Sequence, residues 1–224
     1  MSGLPETPLI QRRGLCLVIA APSGTGKTSL TRALLAAEPE LALSVSITTR
    51  AARPGEVEGT HYYFRTRADF DSLRDSGGLL EWAHVFGRET LYGTPRAPVE
   101  AALAAGQDMV FTIDWQGYRQ MRAALGQDVV GVFLLPPSLG ELEQRLRLRG
   151  EDSEAEIARR MASTAGEMEH APEFDYIVIN DDFAAALARL RAILQAERLA
   201  TRRQTGLGAF THHTVHQPVA GEGG

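Results

Sequence analysis

The chain contains a single cysteine, a single lysine and no apolar run approaching the roughly 18 residues that a membrane-spanning helix requires. One cysteine excludes an internal disulfide. Its position, Cys16 in the apolar run LCLVIA, predicts a buried structural thiol rather than a nucleophile. A reducing cytosol suits such a chain. The amino terminus MSGLPETPLIQRRG agrees, because its basic pair follows a mixed segment, the reverse of a signal peptide's order. There is also no excess of positive charge: a net charge of −5 disfavours nonspecific binding to nucleic acid or to an anionic membrane. Any phosphate chemistry must then rely on individually placed cations, and of 23 basic residues only Lys27 is not an arginine. The expectation is a cytoplasmic protein with neither a nucleic-acid nor a membrane partner.

What is present is ordinary for a globular chain: 224 residues, 44% hydrophobic and 23% charged, enough for one sizeable core with small inserted lobes. The apolar runs GLCLVIA (14–20), MVFTID (109–114), VVGVFLL (129–135) and DYIVIN (175–180) each precede a helix-like segment. Continuous apolar strands alternating with helices predict an α/β fold, a mainly parallel sheet covered by helices on both faces. Between the first helix and MVFTID the texture changes to short aromatic or β-branched stretches, LSVSITTR, HYYFRT, LLEWAHVF and TLYGT, predicting an inserted β-rich lobe over 43–96. Residues 138–170 are charged, helical and rich in paired signs. The core is then expected at 14–42, 97–137 and 171–201 of a domain spanning 14–201. The ends, 1–13 and 202–224, lack periodicity and read as flexible tails. The histidines in HHTVHQPVAGEGG have no second ligand cluster that would make a metal site.

The solitary lysine stands in APSGTGKT (21–28), which follows one predicted strand and opens a predicted helix. Backbone N–H groups and a helix N-terminus face an anion at such a junction. The spacing is that of a phosphate-binding loop, G-x-x-x-x-G-K-[ST], with Ala21 in the first glycine position. Pro22, Ser23 and Thr25 fill the variable positions, and Gly24 and Gly26 supply a permissive backbone. Lys27 can reach β- and γ-phosphates, and Thr28 can offer a hydroxyl to Mg²⁺. The plain alternative is a glycine-rich turn with a solvated lysine.

A second cationic constellation is SVSITTRAARPGEVEGTHYYF, in which Arg50 and Arg53 flank a turn set by Pro54 and Gly55. Two guanidinium forks this close can clamp one phosphate, although spacing alone also allows a basic surface turn. In RLRLRG, Arg145 and Arg149 lie four apart on one helix face, with Arg147 directed elsewhere. Glu141 before Arg145, and Glu156 before Arg160, equally allow ion pairs along a helix surface.

The succession APSGTGKTSL, SVSITTRAARPGEVEGTHYYF, LLEWAHVFG, YGTPR, IDWQG, FLLPPS, RLRLRG and VINDD resembles the guanylate kinases over roughly residues 14–201. The resemblance implies transfer of the γ-phosphoryl group of MgATP to GMP, with a core, a GMP-binding lobe and a mobile lid. Arg50, Arg53, Tyr62 and Tyr92 fall where that family holds the GMP phosphate, and Ser46, Glu81 and Thr94 where it reads guanine. Arg145, Arg149 and Arg160 fall where it covers the ATP phosphates. Glu81 also makes chemical sense by itself: a carboxylate accepts from guanine N1–H and N2–H₂, a donor pair that adenine lacks, so AMP should be rejected roughly 10²-fold or more.

Two departures from the family pattern matter. Thr112 stands where the family has its first acidic residue, leaving Asp114, which is assigned to the site through guanine or the waters of Mg²⁺. FGRETLYGT is also about two residues longer than the family's link, which bears on Tyr92 and Thr94. Two further readings stay open: a ribose bisphosphate phosphokinase-like enzyme, which predicts a degraded guanine pocket, and a catalytically silent guanylate-kinase-like interaction module, which predicts a broken phosphate loop.

Overall fold

The computed structural model describes residues 10–84, 90–149 and 153–216. In chain order the strands are β1 (Gln11–Arg12), β2 (Cys16–Ala20), β3 (Leu41–Leu43), β4 (Ile47–Thr48), β5 (Tyr63–Phe64), β6 (Leu79–His84), β7 (Leu91–Pro95), β8 (Asp108–Phe111), β9 (Val129–Leu135), β10 (Tyr176–Ile179) and β11 (Gln204–Thr205). The α-helices are α1 (Lys27–Ala37), α2 (Arg67–Asp75), α3 (Arg96–Ala104), α4 (Trp115–Leu125), α5 (Leu139–Arg149), α6 (Glu154–Met168), α7 (Phe183–Leu199) and α8 (Leu207–His216).

Five strands form one parallel sheet in the order β10-β9-β2-β8-β3. The central strand β2 explains why the run around Cys16 is apolar throughout. Leu15, Leu17 and Ile19 pack with Leu30, Leu34, Leu190 and Leu194 of α1 and α7, whereas Cys16, Val18 and Ala20 pack with Val99, Leu103, Tyr118 and Met121 of α3 and α4. A strand covered on both faces has no polar side to alternate with. Leu30 and Leu34 are fully buried, each contributing about 1.5–3 kcal/mol of apolar transfer. Burial also pushes the Cys16 thiol up to about 12, which leaves it protonated and inert at neutral pH.

A separate four-stranded sheet, ordered β5-β4-β7-β6, has a small core of Ile47, Phe70, Leu79 and Leu91. Helix α4 joins the two sheets. Its Gln120 accepts from Trp82 N at 3.0 Å and donates to Trp82 O at 3.1 Å, behaving as one more strand residue alongside β6. Residues 85–89, which hold most of the lengthened link before Tyr92, lie outside the described residues.

The segments beyond the two ends of the periodic region differ from the expectation of loose tails. Gln11–Arg12 pairs antiparallel with Gln204–Thr205, and Leu207–His216 is helical. Charge holds this region in place: the Arg203 guanidinium is buried, donating to Glu197 Oε2 at 3.1 Å and to Gln127 O at 3.0 Å. Hydrophobic periodicity cannot reveal an anchor made of ion pairs. Among the described residues no helix is long and apolar enough to cross a membrane, and no three His, Cys, Asp or Glu side chains gather to hold a metal ion.

Candidate active site

The glycine loop runs from the end of β2 to the start of α1. Gly24 has φ 87° and Gly26 φ 96°, the left-handed region that glycine enters without strain. Space imposes the same demand: a Cβ on Gly26 would lie 2.6 Å from Asn180 Nδ2, and one on Gly24 would lie 2.9 Å from a Leu146 methyl. Gly26 is the N-cap of α1, so the helix opens directly onto Lys27 and Thr28. Asn180, at the end of β10, donates to Thr25 O at 2.7 Å and ties the loop to the sheet. This residue lies in the VINDD stretch, yet nothing in its local pattern announces the tether.

The loop borders a cavity of about 900 Å³, lined among others by Ala21, Pro22, Ser23, Gly24, Gly26, Lys27, Thr28, Asp114 and Arg145. Thr25 is buried beneath it. Burial pushes the Lys27 ammonium below its ordinary value, opposed by the charges of Asp114 and Glu167. Glu167, on α6, went unnoticed in the sequence; burial raises its carboxyl, and Lys27 opposes that shift. Asp114 caps α4, accepting from Gly117 N at 2.9 Å.

Both surface ion pairs expected on the helices are formed, Arg145 with Glu141 at 3.2 Å and Arg160 with Glu156 at 3.8 Å. The same two arginines also reach the loop region. Arg145 lines the cavity and donates to Asn180 O at 3.2 Å, and Arg160 Nη1 donates to Ser23 Oγ at 3.2 Å. Arg147 turns away to Glu143 and Glu154. Arg149 ends α5, and its side chain lies outside the described residues.

The remaining candidates gather on the smaller sheet. Arg50 lies over the Tyr62 ring at 5.3 Å, Tyr62 meets Tyr92 edge-on at 5.8 Å, and Thr48 stands opposite Tyr92 in register. Thr94 Oγ1 donates to Glu81 Oε1 at 2.6 Å, with both residues buried. Ser46 is partly buried and its carbonyl accepts from Tyr63 N at 2.8 Å; Arg53 is exposed. Burial pushes the Glu81 carboxyl up to about 7, with the Thr94 bond opposing the shift and the charge of Asp114 adding to it. The charge of Asp114 thus acts on both Lys27 and Glu81, one in each half of the site.

A parallel sheet whose central strand runs through a glycine loop into a helix opening on a cavity that holds a lysine and an arginine is the architecture of the α/β P-loop nucleotide-binding proteins. Known proteins narrow that class. The guanylate kinase family model matches residues 13–197. The chain is 59% identical over 198 residues to a guanylate kinase of Gluconobacter oxydans (strain 621H), covering 88% of this chain and 94% of that protein. It is 54% identical over 213 residues to one of Rhodospirillum rubrum, covering 95% and 97%. The crystal structure of guanylate kinase from Anaplasma phagocytophilum superposes with a TM-score of 0.74 at 34% identity, covering 94% of this chain and 100% of that one. The chain belongs to the guanylate kinase family.

Proposed function

We propose that this protein transfers the γ-phosphoryl group of MgATP to GMP, yielding ADP and GDP, in the cytoplasm. The observation that carries the proposal is the pairing, through Asp114, of a lysine at a glycine loop with a buried carboxylate on a separate sheet. The lysine suits a triphosphate and the carboxylate suits guanine, and the family membership supports both assignments. An intact loop and an intact Glu81–Thr94 pair speak against a silent module and against a kinase for another acceptor.

In this proposal the loop amides and Lys27 bind the ATP phosphates, and Arg145, Arg149 and Arg160 cover them from α5 and α6. Arg50, Arg53, Tyr62 and Tyr92 hold the GMP phosphate, while Ser46, Glu81, Thr94 and Asp114 hold the base. Thr28 fits a hard cation bound mainly through nucleotide oxygens and water, since the described residues offer no all-protein cage. A Mg²⁺ ion held there would supply positive charge to offset that of the nucleotide phosphates. The acceptor is a phosphate whose second pKa is about 6, so it is largely dianionic near neutral pH and needs no general base. The protein's task is to bring two anions into line and to balance the developing charge. Closure of the arginines over the phosphates would keep water from taking the phosphoryl group.

The test is a coupled assay of ADP release with MgATP and GMP, AMP or no acceptor. Release that depends on GMP supports the proposal; none at millimolar GMP overturns it.

A further inference from the structure

Glu56 was given no role by the sequence, yet it touches both arms of the arginine clamp. Its Oε1 accepts from Arg50 Nη2 at 2.8 Å and its Oε2 from Arg50 Nη1 at 2.8 Å, while Oε2 also accepts from the Arg53 backbone N–H at 2.7 Å. The two side chains are largely sheltered, 15% and 17% exposed. Arg50 Nη1 donates further to Ala51 O at 2.8 Å, and the guanidinium lies 5.3 Å from the Tyr62 ring and 5.9 Å from that of Phe64. Carboxylate, carbonyl and rings together set the plane of the guanidinium and its roll about that plane.

A carboxylate on an arginine could also compete with a substrate phosphate. The contacts it shares decide between the two roles. Glu56 takes the end edge of Arg50, Nη1 and Nη2, with both of its oxygens, and the same Oε2 is tied to the Arg53 N–H, so the carboxylate is built into the turn, with Arg50 Nε enclosed beside it. Resting on the reading of Arg50 and Arg53 as the GMP phosphate clamp, we infer that Glu56 is a positioning residue: it holds Arg50 by the end edge and anchors the Arg53 backbone in the same turn, fixing the two arginines relative to each other. Arg50 in turn holds the Glu56 carboxyl down at about 2, so the brace stays ionised across the working pH range.

The experiment compares Glu56→Gln, Glu56→Asp and Arg50→Ala by steady-state kinetics and by calorimetric binding of GMP and of guanosine, which lacks the phosphate. Glu56→Gln should raise KM for GMP by about tenfold, leave KM for ATP and kcat at saturating GMP unchanged, and leave guanosine binding unchanged. Glu56→Asp, which keeps the charge, should recover part of the loss. A KM for GMP that falls in Glu56→Gln would make Glu56 a competitor of the phosphate and overturn the inference; an unchanged KM overturns it too. Equal weakening of guanosine and GMP would mean a general distortion of the lobe, and also overturns it. Arg50→Ala separates the two levels. If it leaves KM for GMP unchanged, the clamp itself is misassigned; if it raises KM while Glu56→Gln does not, only the role of Glu56 fails.

Discussion

Thr94 and Glu81 stand opposite each other in the β6–β7 pair, joined by a 2.6 Å hydrogen bond from the hydroxyl to Oε1. Oε2 is turned toward the first turn of α4, where a Cβ on Gly117 would come within 3.2 Å of it. One oxygen is thus committed to the lobe, while the other lies at the junction with the core helix that carries Asp114.

Burial pushes this carboxyl up to about 7, and in the role proposed for it only the ionised form accepts from both guanine donors. Protonation therefore opposes GMP binding, and KM for GMP should rise as pH falls below 7, approaching about tenfold per unit. The phosphate of GMP itself adds to the trend near its second pKa of about 6. Glu81→Gln should flatten the profile between pH 6.5 and 8 and reduce the preference for GMP over AMP. Steady-state kinetics with both acceptors would check this, and a native profile flat across that range would show that guanine is read elsewhere.

Lys27→Ala should lower kcat by about 10²–10³-fold, because a cation aimed at the transferring phosphates is lost from a site partly screened from water. The fold should survive. Burial already disfavours this ammonium, so its removal relieves a desolvation penalty rather than breaking a structural ion pair. Single-turnover kinetics and circular dichroism would separate the two outcomes; retained turnover would refute the phosphate role.

Asn180→Ala removes the 2.7 Å bond to Thr25 O and leaves that carbonyl without its partner beneath the loop. We expect about 1–3 kcal/mol of destabilisation and a raised KM for ATP, with KM for GMP little altered. Thermal unfolding in parallel with kinetics on each substrate tests the split, and equal changes in both KM values would argue against a local tether.

Asp108 is buried at the start of β8, accepting from Arg12 at 2.5 Å, Arg198 at 2.7 Å and Leu15 N at 3.1 Å. Asp108→Ala should cost about 3–5 kcal/mol by leaving guanidinium groups unbalanced at the edge of the core. The variant protein that remains folded should keep both KM values. Chemical denaturation gives the first quantity, and a specific change in either KM would show that the cluster also shapes the site.

The parts of the candidate site that are contiguous in the chain were legible as local geometry. Gly24, Gly26 and Lys27 declare themselves because the left-handed turns and the helix start depend on neighbouring residues alone. The strands around Cys16 and Val132 were legible because burial on both faces leaves an unbroken apolar run. Glu81, Thr94 and the arginines came into view through the order of family motifs, which spacing by itself would have left as ordinary charged surface.

Pairings across long stretches of chain were not legible. Asn180 meets Thr25 across 155 positions, Arg12 meets Asp108 across 96, and Gln120 meets Trp82 across 38. Nothing in the local pattern of any of these residues distinguishes it from a solvated polar side chain. The short segments around Arg12 and Arg203 read as tails for the same reason, since a buried guanidinium anchored by Glu197 has no hydrophobic period. The sequence by itself determined the sheet, the glycine loop and the chemical types brought to it, because burial and backbone sterics act over a few neighbouring residues. Only the tertiary structure decided which oxygen of Glu81 is held by Thr94, which edge of Arg50 is taken by Glu56 and what stands behind Lys27, because hydrogen bonds and charges are settled by distances that the chain order does not contain.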